Sequence, residues 1–578
     1  MLFNKKLSKD FSQYCSSERE VNMKKDKNFE YLMFNAPSSK TIKIAASLGC
    51  NWVIIHSAGI ESGFKFFPIY FEDYPKVAQI RHFQQGERIE FLRKEIKNLS
   101  EYAKSLKLKV AFHMYEPIFP SEFETEYPEL VGVWKRPTQM GVIDVHSNIN
   151  PDNPETWKLF RSKYAELARE FPLLDMIIIS TWDGDGIRIC TPKAKMPIHE
   201  RLVRLVKSAK EGVDSVRKGV TICFRLWGRN FPREVYLNVY RRIAKLTGVK
   251  NADELMEEVT KPDNDPDVIL PKVFAELPKD VPIMYKSTKF DIADAQPITH
   301  AIGTYDKKIK QIMEISYELY NIKPWPWCKI RHIRLGLDNA KKYDLDGVLL
   351  LPINMGNNLR DFDPETGNLG RMNTWLLDKL LKGDKRSDLE LVSEWLEKEF
   401  EGPQPKEVAE MLLEAEDLVD KGINWGGGCV CRHPFASLHT NKLYWMCNFE
   451  ELARIMEEPE RKDIERLIEQ RHVAYERACD SVEKIKAFRA SMNPKLYAEL
   501  IAGFTMLADY ILLCRDWNSY ILMQYAIERK LYPADRLHLG RMSRYVENFI
   551  RNIERLKDTE VGKFVFSQMS FPDKFPLT

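Results

Sequence analysis

The stretch DMIIISTWDGDG, residues 175–186, decides the reading of this chain. Four apolar residues run without a break, so the segment is buried on both faces, as a strand of a parallel sheet is. It then passes abruptly into Trp182, Asp183 and Asp185. A charged amphipathic segment follows. The same rhythm recurs along the first 360 or so residues. The other apolar runs are EYLMFNA (30–36), CNWVIIHSA (50–58), LKVAFHMYEP (108–117), GVTICFRLWGRN (219–230), VPIMYKSTKFDI (281–292), a run ending near EISYELY (314–320), and GVLLLPINMG (347–356). Strand-like runs alternating with helical segments imply βα units. Eight of them imply a closed (β/α)8 TIM barrel. A doubly wound open sheet would carry a Gly-rich phosphate turn after its first strand, and none is present.

Between the runs, GERIEFLRKEIKNLSEYAKSLK (86–107) and PETWKLFRSKYAELAREF (154–171) have apolar residues at helical spacing, with Pro154 at a helix start. After Asn230 an insertion of roughly 50 residues precedes the sixth run, and such insertions often build an active-site rim. From residue 387 the strand-like runs give way to helical periodicity. The segment 497–530 is apolar almost all round and is expected at the centre of a bundle. The expected organisation is a disordered tail over 1–27 (Met23 being an alternative start), a catalytic barrel over 28–386, and an all-helical C-terminal domain over 387–578.

The 578 residues carry 87 Lys and Arg against 84 Asp and Glu, a formal charge of +3. That balance excludes a strongly basic nucleic-acid binder and gives no reason for binding to a membrane surface. No apolar run is read as approaching the ~18 residues needed to span a bilayer, and the polar N-terminus lacks a signal-peptide core. Ten cysteines are scattered, several inside apolar runs, as expected of buried thiols in a reducing, cytoplasmic compartment. The one close pair, Cys429 and Cys431, has no second cluster to complete a metal site.

In a barrel, chemistry sits at the C-terminal ends of the strands. Those ends offer His56, His113, Glu116, Asp183, Asp185, Arg225, Arg229, Lys286, Asp291, Glu318 and Asn354. The set is rich in carboxylates and has no G-x-S-x-G elbow. Converging carboxylates suit glycoside hydrolysis, one acid protonating the leaving oxygen and another carboxylate acting at the sugar. Trp182 and Trp227 stand where they could stack on a sugar face, and His113, Glu116, Asp185 and Asn354 are candidate substrate contacts. A metal-dependent barrel hydrolase built on His56, His113, Glu116 and Asp183 is a second possibility, although no H-x-H or H-E-x-x-H spacing occurs.

The strand-end segments resemble those of the family 67 glycoside hydrolases, the α-glucuronidases, in order along roughly 44–400. AASLGCNWVIIHSA is similar to the family's LASIGINGVVINNVNA, and CFRLWGRN to IWRCFVYN. IMYKSTKFDIADAQP is similar to VQIKNGPIDFQPREP, and KKIKQIMEISYELY to TNVMLEFQITQEYL with one residue deleted. The resemblance covers the barrel and the helical domain; the family's N-terminal β-sandwich has no counterpart here. It implies an inverting mechanism in which Asp183 is the proton donor, and Asp291 and Glu318 hold and deprotonate the attacking water. The family's donor is Glu, one methylene longer, so Asp185 or Glu116 is an alternative donor. Burial against Trp182 would raise the donor's pKa toward neutrality. Arg225 and Lys286 match an Arg and a Lys of the family's pattern and are expected to pair with a uronate carboxylate, Arg225 bidentately.

The expected function is therefore an exo-acting glycosidase removing a terminal uronic acid or related sugar from oligosaccharides. It needs neither cofactor nor metal and no nucleic-acid or membrane partner. A non-catalytic carbohydrate-binding protein on the same fold is the alternative. The helical domain is expected to cover the barrel or to join two chains as a homodimer, with Arg432 and His433 near a neighbouring site.

Overall fold

The computed structural model describes residues 29–55, 67–137, 143–181, 194–226, 266–286, 309–316, 326, 328–351, 368–423, 460–559 and 561–563. The expected tail, most of the insertion after Asn230, and the Cys429–Cys431 and Arg432–His433 segment lie outside them.

All eight expected runs are strands of one closed parallel barrel. In chain order they are β1 (Tyr31–Asn35), β2 (Trp52–Ile55), β3 (Lys109–Glu116), then, after a two-stranded insertion, β6 (Met176–Thr181), β7 (Thr221–Leu226), β8 (Ile283–Lys286), β9 (Gln311–Ser316) and β10 (Gly347–Leu351). The seventh barrel strand, β9, ends at Ser316, earlier than the run expected to end near 314–320. Glu314 makes the end of this strand look polar, but it is buried and paired.

The insertion is a hairpin that the hydropathy pattern did not announce. β4 (Val131–Pro137) pairs antiparallel with β5 (Ile143–Ile149), after the short helix Glu122–Glu126 that follows β3 and before the helix Pro154–Glu170. It therefore leaves the barrel from the end where β3 finishes.

The pairing register sorts the inward side chains into layers of four drawn from alternate strands, as barrel closure requires. Met33, Ala111, Cys223 and Ile312 form one layer, and Ile54, Ile178, Met284 and Leu349 the next. Tyr31 and Trp52 lie below them with ring centroids 5.7 Å apart. These residues form a small core of their own, distinct from the larger core between strands and helices. Gly347 sits opposite Tyr31 at the β10–β1 seam, where a Cβ would come within 2.4 Å of the Tyr31 Cβ.

Local signals set the helices. Asn153 caps the Pro154–Glu170 helix by accepting from Glu155 N, with Pro154 in the first turn. That helix packs closely on Ile198–Val216, where a Cβ on Gly212 would meet the Arg161 carbonyl at 2.2 Å. After the barrel come helices Asn368–Leu381, Asp388–Glu399, Lys406–Gly422, Arg461–Ala487, Pro494–Glu528 and Arg536–Leu556. Ser387 and Glu390 form a reciprocal capping box at the start of the second of these. Arg334, on the helix between β9 and β10, donates to Asp388 at 2.8 Å and ties this region to the barrel.

Pro494–Glu528 corrects one expectation. By length and composition this helix could cross a membrane. Here it packs against its neighbours in the helical region, with twenty buried residues. Its charges find partners on the next helix: Asp516 accepts from Asn552 at 2.8 Å, and Asp509 from Arg555 at 3.3 Å.

Candidate active site

Above the two apolar layers the barrel interior changes character at once. The next inward layer is Asn35, His113, Arg225 and Glu314, all buried. Ser180 and Lys286 stand one step further toward the C-terminal ends of their strands, and both are buried. Each follows from strand periodicity. The residue two positions beyond the last apolar inward side chain must also face in.

Arg225 and Glu314 dominate the layer. The guanidinium donates from Nε to Glu314 Oε2 at 2.5 Å and from Nη2 to Oε1 at 2.8 Å. Its Nη1 donates to Ser180 Oγ at 2.8 Å. Such a two-point fork fixes both groups in orientation as well as position. Lys286 is the register partner of Glu314 on the adjoining strand. His113 stacks obliquely against Tyr115, with ring centroids 4.6 Å apart. The Cys223 thiol beneath is held neutral, because burial raises its pKa.

This geometry sorts the residues named from sequence. Arg225, Lys286 and His113 come together in the mouth. The bidentate edge of Arg225, expected to hold a sugar carboxylate, is occupied by Glu314 instead. Glu116 is a correction. It follows Tyr115, so its side chain leaves the barrel on the opposite face and enters the strand–helix layer. There it is fully buried, 2.7 Å from Lys163 Nζ, and accepts from the Tyr164 hydroxyl at 2.8 Å. Lys163 also donates to the Ile118 carbonyl at 3.0 Å and lies over the rings of Phe67 and Phe119. Burial lowers the Lys163 pKa, with Glu116 opposing the shift. Glu116 is thus a structural carboxylate, unsuited to the donor, substrate-contact and metal-ligand roles considered for it.

Asp183, Asp185, Trp182, Trp227, Arg229, Asp291, Glu318, Asn354 and His56 lie outside the described residues. Sequence reasoning missed Asn35, Ser180 and Glu314. The available signal was parity: each lies an even number of positions from an apolar residue of the inner core.

No protein-family model matches the chain, and no curated protein sequence does. A solved structure shares its fold. A family 138 glycoside hydrolase, an enzyme targeting pectin rhamnogalacturonan II, superposes with a TM-score of 0.53 at 12% identity, over 90% of this chain and 58% of its own. The chain thus spans 58% of the length of that structure. The Thermobaculum terrenum O-GlcNAc hydrolase aligns over 93% of both chains at 9% identity, with a TM-score of 0.37. A Flavobacterium johnsoniae chitobiase aligns over 93% of this chain and 78% of its own at 13% identity, also with a TM-score of 0.37.

Proposed function

We propose that this protein is an exo-acting glycoside hydrolase whose active site is the C-terminal mouth of the barrel. The observation that carries the reading is the buried ring of Asn35, His113, Arg225 and Glu314 beneath Lys286. A ring of polar groups at the C-terminal end of a barrel, above a dry core, is where barrel enzymes bind and transform substrates. The overlap with an enzyme that acts on pectin rhamnogalacturonan II supports carbohydrate as the substrate class.

The strands leading out of this ring continue into the carboxylates named from sequence. β6 precedes Asp183, β8 precedes Asp291 and β9 precedes Glu318. In this reading Asp183 protonates the departing oxygen, while Asp291 and Glu318 position and deprotonate water. An inverting enzyme keeps its acid and base about 6.5–9.5 Å apart, and a retaining one about 5–5.5 Å. Lys286 receives the anionic end of a terminal uronic acid. Arg225 backs Glu314 and shapes the floor without contacting that carboxylate.

The test is a hydrolysis screen of the purified protein against aryl glycosides and short uronic-acid-capped oligosaccharides, with and without chelator, beside Glu318→Gln. Sugar release that survives chelator and disappears in the variant is the expected result. Release that chelator abolishes would point to a metal-dependent hydrolase. Binding without release would leave a carbohydrate-binding protein.

A further inference from the structure

Asn35 ends β1 on the inward parity of Tyr31 and Met33 and completes the polar layer with His113, Arg225 and Glu314. It is 6% exposed, and among the described residues its side-chain oxygen has no hydrogen-bond partner. Buried polar atoms are almost always satisfied, because an acceptor stripped of water and left unpaired costs the fold its desolvation. Two of its described strand neighbours are apolar. Its register partner on β2 is Ile54, and the residue two positions earlier on its own strand is Met33. A leucine has nearly the same shape and would remove the penalty.

We propose that Asn35 is a substrate-binding residue whose side-chain oxygen accepts a hydrogen bond from a hydroxyl of the sugar held in the barrel mouth. The inference rests on the glycosidase reading and adds to it a specific contact on the face of the ring formed by β1. The chemistry suits a neutral hydroxyl. The amide oxygen carries no charge, whereas the cations Arg225 and Lys286 stand on β7 and β8. Asn35 would therefore read a ring hydroxyl, while Lys286 reads the acidic end.

Titration calorimetry tests this with D-glucuronate, D-galacturonate, D-glucose and D-galactose, on wild type and Asn35→Leu. Thermal unfolding of both proteins is measured alongside. Asn35→Leu is expected to melt at the same temperature or higher, since it removes an orphaned acceptor. It should bind the preferred sugar about tenfold more weakly, the value of one neutral hydrogen bond at its upper end. Monodeoxy analogues of that sugar give a second reading on the unaltered protein. One of them should bind wild type about tenfold less well than its parent, and that difference should vanish in Asn35→Leu.

Equal sugar affinity in wild type and Asn35→Leu overturns the role of Asn35 and leaves the glycosidase reading intact. So does an absence of discrimination by wild type among all the monodeoxy analogues. A lower melting temperature with unchanged affinity assigns Asn35 to structure alone. If wild type binds none of the four sugars and releases none in the hydrolysis screen, the glycosidase reading falls and takes this contact with it.

Discussion

Arg225 and Glu314 meet fork to fork, at 2.5 and 2.8 Å, although 89 residues separate them in sequence and β8 runs between their strands. Barrel closure brings them together, because inward side chains of alternate strands share a layer. The pair is almost wholly buried. Two charges taken out of water recover their desolvation only when geometry is good and their remaining groups are satisfied. The bond from Arg225 to Ser180 contributes to that.

Removing one partner should therefore cost far more than removing both. Glu314→Gln is expected to lose about 3–5 kcal/mol of stability by leaving the guanidinium buried without its counter-charge. The double variant Arg225→Met/Glu314→Leu should recover most of that loss. Urea unfolding midpoints provide the measurement. A Glu314→Gln loss below ~1 kcal/mol would show that the charge is not needed in the fold.

Lys286 is expected to separate charged from neutral substrates. Lys286→Met should lower kcat/KM for a uronide by about 10- to 100-fold, the value of a charge-assisted hydrogen bond. It should leave a neutral glycoside of the same ring nearly unaffected. Equal losses on both substrates would contradict recognition of the carboxylate by this residue.

Glu116 should matter for stability and not for chemistry. Glu116→Gln leaves Lys163 buried without its anion and is expected to lower stability by about 3 kcal/mol. The fraction that remains folded should keep wild-type kcat. A large loss of kcat in folded protein would return Glu116 to the list of proton donors.

His472 supplies a pH dependence. Burial, helped by the nearby Arg515, lowers its pKa below the ordinary 6.5, against the opposing pull of Glu469, Asp516 and Glu476. Between the lowered value and 6.5 the unfolded chain holds a proton that the folded chain does not. Stability therefore rises with pH through that window; it is fully present above 6.5 and is lost as pH falls below it. The drop in urea midpoint from about pH 7.5 to about pH 5.5 should be smaller in His472→Gln than in wild type. Burial raises the pKa of Asp509 and Asp516, which titrate with the opposite sign. Comparing the variant with wild type cancels Asp509, while the difference reports His472 together with its coupling to Asp516.

Gly347 marks the point where the barrel closes. Gly347→Ala would drive a methyl group against the Tyr31 main chain, whose oxygen lies 2.6 Å from the added carbon. Backbone there cannot rotate away as a flexible side chain would. A loss of about 1–3 kcal/mol is expected, read as a fall in melting temperature. A neutral substitution would mean that the seam can open without cost.

Much of the fold was legible because it depends on local burial. A strand covered on both faces needs an unbroken apolar run, and each of the eight runs became a barrel strand. The capped helix at Asn153 and the boundary box at Ser387 were likewise written in neighbouring residues. The β4–β5 hairpin was less legible. Its strands lack the continuous apolar run of the barrel strands, so nothing in the hydropathy set it apart from a loop.

The site was harder to read, for a reason visible in two glutamates. Glu116 ends its strand next to aromatic and apolar residues and looks like a mouth residue, yet it faces the helices. Glu314 sits inside its run and looks like an interruption, yet it lies at the centre of the polar layer. Sequence by itself determined that eight buried strands alternate with helices, that a helical region follows, and that polar groups gather where the strands end. Only the closed barrel decided which of those groups share a layer. That choice depends on the tilt and stagger of strands that meet around a ring, and a residue's neighbours across the ring are set by closure and not by its neighbours along the chain.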